Sequence, residues 1–279
     1  MTAVSARGIV AVGVDGTTEA VEAARWAVEA AHLRHVDLLV VCGYQIPMMN
    51  PELTADSIAV TRDAAERVAN DVISHLDVPP SMTVETLIEL ASPVVMLRRV
   101  SETAALVVLG GHHFSTFDRL LVGPVTSPVA AQAQCPVVVV PGGWSRTAVG
   151  IRPVVVAVDG ETAATSALDF AFAEAEFRRC GVTALHCFAL RDAPSDQGKR
   201  ATITEVLAAH EQSHPDIAVR ALFLPGEPKD AIIDQSVSAA MVVVGRPHRR
   251  RLGSWTRSVA RALLDHTQSP LVVVPQLSG

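Results

Sequence analysis

Short runs of valine and leucine with no polar alternation recur along this 279-residue chain, separated by longer stretches whose apolar residues return at helical spacing. Uninterrupted apolar runs of this length read as strands buried on both faces, and the intervening periodicity reads as helices. The first half predicts strands near 9–14, 37–43, 83–88, 105–110 and 136–140, with helices near 18–34, 56–75, 93–103 and 124–133. Val21, Ala24, Val28 and Ala31 supply the apolar stripe of the first helix. Parallel neighbouring strands need long right-handed crossovers, so strict alternation of strand and helix predicts an α/β fold with a doubly wound parallel sheet.

The pattern then repeats. Val10-Ala-Val-Gly-Val-Asp15-Gly16 returns as Val154-Val-Val-Ala-Val-Asp159-Gly160, an offset of 144 that also aligns Trp26 with Phe170 and Cys42 with His186. Pro93 matches Pro228 and Gly110 matches Gly245 at an offset of 135, and Cys135-Pro136 matches Ser269-Pro270 at 134. The second copy has therefore lost nine residues after its second strand and one more near Gly245. Self-similarity over nearly the whole chain predicts two tandem five-stranded sheets related by internal duplication. The expected domains are residues 1–143 and 151–279, with 144–150 as linker.

Composition narrows the function classes. A chain with 49% hydrophobic and 19% charged residues has the make-up of an ordinary globular protein. Its apolar runs are far shorter than the roughly 20 residues needed to span a bilayer, and Met1–Gly8 lacks a secretory pattern. The expectation is a cytoplasmic protein without membrane association. Acidic residues outnumber basic ones by 29 to 23, the wrong sign for bulk attraction to nucleic acid. Cys42, Cys135, Cys180 and Cys187 show no C-x-x-C spacing and sit in or beside apolar segments, as small core thiols do.

In doubly wound sheets, ligands bind at the carboxyl ends of strands where the winding reverses. This selects the turn after each copy's first strand, with Asp15-Gly16 and Asp159-Gly160, and the loop after each fourth strand, opening at Gly110-Gly111-His112-His113 and at Gly245-Arg246. Over essentially its full length the chain resembles the universal stress protein family in its tandem form. Gly13-Val-Asp15-Gly16-Thr17 is similar to that family's first-strand signature, Pro93 and Pro228 to its third-helix start, and Gln134-Cys135-Pro136 with four valines to its final strand. The resemblance implies a Rossmann-like fold of the adenine nucleotide alpha hydrolase-like kind, and adenine nucleotide, ATP with or without magnesium, as the ligand. It also implies a stress-response regulator acting on an unidentified protein partner, with a homodimer as one assembly.

The family's nucleotide loop is a glycine, two residues, a glycine, nine residues, then glycine and serine or threonine. Glycines let the backbone approach phosphates, while N–H groups and a hydroxyl opening the next helix donate to the anion. Copy one keeps this spacing with altered chemistry: Gly110, His113 for the second glycine, Gly123, then Pro124 for the hydroxyl, followed by Val125 and Thr126. Copy two has Gly245, His248, one residue fewer, Arg257 for the last glycine, then Ser258 and Val259. Losing two charge-assisted hydrogen bonds of roughly 1.5–3 kcal/mol each would weaken a site by about two to four orders of magnitude. His112, His113 and Arg119 in copy one, and Arg246, Arg249, Arg250, Arg251 and Arg257 in copy two, offer replacement donors. Asp15 and Asp159 either contact ribose or a nucleotide-bound metal, as the resemblance implies, or cap the following helix through an Asx turn.

Other signals weigh less. His210-Glu211-Gln212-Ser213-His214 spells H-E-x-x-H, but Pro215 disfavours helical conformation at His214, so the two histidines should not share a helical face as zinc ligands. His32 and His35 read as surface residues. Six arginines between Arg246 and Arg261 form either a solvated basic loop or a patch for phosphate or an acidic partner. No phosphate loop, dinucleotide fingerprint, nucleophile elbow or catalytic triad can be named, so the expectation is a regulator and not an enzyme. The competing expectation is an interaction scaffold of the same fold with both nucleotide loops inactive.

Overall fold

The computed structural model describes residues 8–45, 55–111, 125–144, 152–160, 165–189, 196–246 and 262–276. The chain divides into two compact units, Met1–Gly143 and Trp144–Gly279.

Unit 1 runs β1 (Val10–Gly13), α1 (Thr18–Arg34), β2 (Leu38–Tyr44), α2 (Ala55–Ser74), β3 (Val84–Leu90), α3 (Pro93–Val100), β4 (Leu106–Gly111), α4 (Thr126–Gln132) and β5 (Val137–Pro141). Its strands lie side by side in the order β3-β2-β1-β4-β5, and every adjacent pair is parallel. Val10 registers with Leu38 on one side and Leu106 on the other. Unit 2 repeats this with β6 (Val154–Ala157), α5 (Thr165–Arg178), β7 (Val182–Phe188), α6 (Gln197–Ser213), β8 (Val219–Pro225), α7 (Pro228–Ser236), β9 (Met241–Gly245) and β10 (Leu271–Val274). Its order is β8-β7-β6-β9-β10, again parallel throughout. The α/β architecture expected from the strand-helix alternation is the one observed.

Valine-rich strands in the middle of each sheet are buried on both faces: Val10, Val12, Leu106, Val108, Val154, Val156, Val242 and Val243 are all inaccessible to solvent. β-branched side chains suit this pleated, two-sided environment. The strands β3 and β8 carry polar side chains at exposed positions, including Glu85, Thr86 and Arg220, consistent with their place at the end of each order.

The first helix buries a broader face than its valine stripe predicts. Ala20, Ala23, Ala24, Trp26, Ala27, Val28, Ala30 and Ala31 are buried, whereas Val21 is only half-buried. The alanines let α1 lie close over β1 and β4. Helix α3 stops at Val100, earlier than the predicted 103, because Ser101 turns its hydroxyl onto the Arg98 carbonyl at 2.6 Å and accepts from the Gln134 amide at 2.9 Å. Ser236 makes the same pair of bonds in unit 2, to the Ile233 carbonyl at 2.6 Å and from the Gln268 amide at 3.0 Å. Among the described residues, no helix is long and apolar enough to cross a membrane.

Candidate functional site

Strand order makes the switch point of unit 1 the carboxyl end of β1, flanked by β2 and β4. Val14 continues the ladder by donating to the Val41 carbonyl at 3.0 Å. The chain then turns sharply through Gly16, whose φ of 84° suits glycine. Asp15 Oδ1 accepts from the Thr17 amide at 3.1 Å and from the Thr17 hydroxyl at 2.6 Å, and Thr17 Oγ1 accepts from the Ala20 amide at 3.2 Å. The helix cap is thus Thr17, and Asp15 braces it through an Asx turn, which corrects the expectation of Asp15 as the cap. The Asp15 carboxylate stands exposed at the switch point. Its charge reaches Cys42 on β2, whose thiol is pushed up first by burial and then by Asp15.

Three glycines of the candidate site have packing reasons for being glycine. A Cβ on Gly13 would lie 2.7 Å from Leu109 Cδ2, and one on Gly111 would lie 3.1 Å from Val139 Cγ1. On Gly110 it would meet the Glu19 carbonyl carbon and oxygen at 2.8 Å, so β4 ends directly beneath the start of α1. At the far side of the loop, Val125 precedes α4 and Thr126 is its first residue, 7% exposed. His112, His113, Gly123 and Pro124 lie outside the described residues.

Unit 2 places Asp159, exposed, after β6, followed by Gly160 with φ 75°. Gly245 ends β9, and the Arg246 amide donates to the Val274 carbonyl at 2.7 Å. His248, Arg257, Ser258 and Val259 lie outside the described residues, as does most of the arginine-rich segment. In both units the second helix approaches this turn; in unit 1 a Cβ on Gly16 would lie 3.3 Å from Val68 Cγ1 of α2. A Cβ on Gly160 would lie 2.7 Å from Lys199 Cβ, which brings the first turn of α6 against the β6–α5 turn.

Beneath that helix lies a charged assembly that sequence reasoning missed. His186, 3% exposed on β7, places Nδ1 against the Val158 carbonyl oxygen and Nε2 against Asp196 Oδ1, each at 2.9 Å. Asp196 Oδ2 accepts from Arg200 Nε at 2.9 Å, and the Arg200 guanidinium lies 4.1 Å above the Phe188 ring. Burial alone would raise the Asp196 carboxyl, but the hydrogen bonds and charges of His186 and Arg200 outweigh it and hold the group below the usual carboxylate range. The available signals were the alignment of His186 with Cys42 and the Asp196/Arg200 spacing of four at a helix start.

Only the first histidine of the H-E-x-x-H segment lies within a helix, although both rings meet one phenylalanine. Helix α6 ends at Ser213, His214 caps it with φ −130°, and both histidine rings pack on Phe172, at 4.7 and 5.3 Å. No group of three potential metal-ligating side chains occurs among the described residues. His32 and His35 are exposed. The four thiols are unpaired, with Cys135 pushed up to about 12 and Cys187 to about 11 by burial, so they are not primed as nucleophiles.

The architecture and sequence both have relatives. A universal stress protein of Mycobacterium tuberculosis is 30% identical over 274 residues, covering 96% of each chain. One from Mycolicibacterium smegmatis is 29% identical over 281 residues, 94% of this chain and 95% of that one. The crystal structure of a universal stress protein from Archaeoglobus fulgidus shares the fold with a TM-score of 0.77 at 16% identity, over 98% of this chain and all of that one. A functionally unknown protein from Pseudomonas aeruginosa does so at a TM-score of 0.62 and 15% identity, over 98% and 94% of the two chains. The model of the universal stress protein family matches twice, over residues 7–141 and 150–275. With both copies matched and both sheets wound in the same order, the chain belongs to the universal stress protein family.

Proposed function

We propose that this protein is a cytoplasmic stress-response regulator that holds ATP, with or without magnesium, at the switch point of unit 1 and does not turn it over substantially. The carrying observation is the exposed Asp15 carboxylate on a braced turn at the end of β1, beside the end of β4 from which the candidate phosphate loop departs. Asp15 would meet the ribose hydroxyls or a metal on the phosphates. The loop from Gly110 and Gly111 through His112, His113, Gly123, Pro124, Val125 and Thr126 would face the phosphates. In unit 2 the equivalent positions, Asp159, Gly245, Arg246, His248, Arg257, Ser258 and Val259, form the weaker site. A bound nucleotide regulates only by binding two states of the protein unequally, and a protein partner or second copy reads that difference.

Calorimetric titration with magnesium-ATP tests the reading. Asp15→Asn keeps the acceptor that Thr17 uses and removes the charge, so it should weaken binding by about tenfold to a hundredfold. Asp159→Asn should leave the affinity unchanged. Phosphate release should stay at the level of a no-protein blank. Absence of saturable binding at millimolar ATP at two temperatures defeats the proposal.

One observation favours a second reading, a scaffold with no nucleotide. Packing against the α1 backbone accounts for Gly110, and crowding by Leu109 and Val139 side chains favours glycine at 13 and 111, so their presence needs no ligand. The same titration separates the two.

A further inference from the structure

Among the described residues, the buried charges of unit 2 have no counterpart at the matching position of unit 1, where Cys42 stands in place of His186. Both nitrogens of the His186 ring face acceptors at 2.9 Å: a backbone carbonyl and a carboxylate. A neutral imidazole has one N–H and can satisfy only one of them. The remaining nitrogen would point its lone pair at an acceptor, in a site where His186 is 3% and Asp196 6% exposed and water has little access. Only a ring with an N–H on each nitrogen satisfies both acceptors.

The groups around the ring make this a two-sided arrangement. From α6 come Asp196, in direct contact, and Arg200, which binds the other carboxylate oxygen. From β6 comes the Val158 carbonyl, with Asp159 next in the chain, and from β8 the Phe223 ring, whose centroid lies 6.2 Å away in an edge contact. Asp196 occupies the N-cap position of α6 yet makes no side-chain capping bond. Its carboxylate is committed to His186 and Arg200, so the start of α6 is fastened downward to β7 and β6. The nine-residue deletion between the second and third strands of this copy shortens the connection that carries α6, and Lys199 closes against Gly160.

We propose that His186, Asp196 and Arg200 form a proton-held latch that fastens the first turn of α6 over the carboxyl ends of β6 and β7. The start of α6 is held against the ends of β6 and β7 while His186 carries both ring protons, and this attachment loosens when one leaves. Loss of the proton removes one charge-assisted hydrogen bond and leaves a buried acceptor facing a lone pair. Unit 1 lacks the histidine and does not share the response. The latch requires no nucleotide, so its test is made on the protein alone and its outcome is separate from that of the ATP titration.

The test is amide exchange followed by mass spectrometry, corrected for intrinsic rates, between about pH 6 and about pH 9, where a histidine switch operates. Protection over the first turns of α6 should fall by about tenfold to a hundredfold across this range, while α2 in unit 1 stays level. In His186→Gln the α6 protection should not depend on pH. Nitrogen shifts of the His186 ring in the unmutated protein should show both nitrogens protonated at the acid end. A ring with one proton there overturns the latch whether or not the variant folds. So does α6 protection that is unchanged by pH, or a fall that His186→Gln retains.

Discussion

Ser101 and Ser236 each close the gap between a helix end and the entry to the last strand of a sheet, using one hydroxyl as donor and acceptor at once. Replacing either by alanine should cost about 1–2 kcal/mol in urea unfolding, since two bonds are lost from a site with 2% or less exposure. Asp196 makes a prediction in pH. Its carboxyl is held below its ordinary 3.8 in the folded protein, so the stability it contributes is present above that value and is lost as the pH falls through the folded value. Asp196→Asn should therefore destabilise by about 1–3 kcal/mol near neutral pH, a gap that narrows at about pH 3, measured by denaturant titration at both. The roles of individual residues were the least legible layer of the sequence. Asp-Gly-Thr announces a turn, but whether Asp15 or Thr17 caps depends on a hydroxyl rotation that residue types do not fix. Likewise His186 lies in an apolar run and looks like core until Asp196 arrives from a different element.

At the level of elements, the hydrophobic pattern placed strands and helices within a few residues of their observed limits, because two-sided burial and helical periodicity are strong constraints. The misses came where a side chain overrode the pattern, as Ser101 does at the end of α3. Helices α1 and α5 are each followed by a non-glycine residue in the left-handed region, His35 with φ 54° and Arg179 with φ 51°. These positions are related by the same offset of 144 that marks the duplication. Substituting glycine at either should stabilise its unit by about 0.5–1 kcal/mol, read as a raised unfolding midpoint, because the left-handed conformation strains a Cβ. Conversely, Gly110→Ala would press a methyl group onto the α1 backbone at Glu19 and should destabilise by about 1–3 kcal/mol. That substitution therefore reports on helix–sheet packing, and Asp15→Asn is the cleaner probe of ligand binding.

For the whole molecule, duplication was plain in the sequence because the repeated Val-Asp-Gly turn and the final valine strand recur at nearly constant offset. Divergence of the two copies was legible only in part. The altered loop residues His113, Pro124, His248 and Arg257 mark both sites as departures from the family pattern, but not which strand ends stay accessible. The difference lies in long-range placement: Asp15 and Asp159 are both exposed, but among the described residues only in unit 2 is the start of the second helix tied to the strand ends by a His186–Asp196–Arg200 assembly. Nucleotide is thus assigned to the first copy and a proton-held latch to the second. Amide exchange with and without saturating magnesium-ATP, near neutral pH, tests that division most directly. Added protection is predicted at residues 14–20 and 109–111, with 158–160 and 196–200 unchanged. Protection confined to unit 2, or none anywhere, would contradict it.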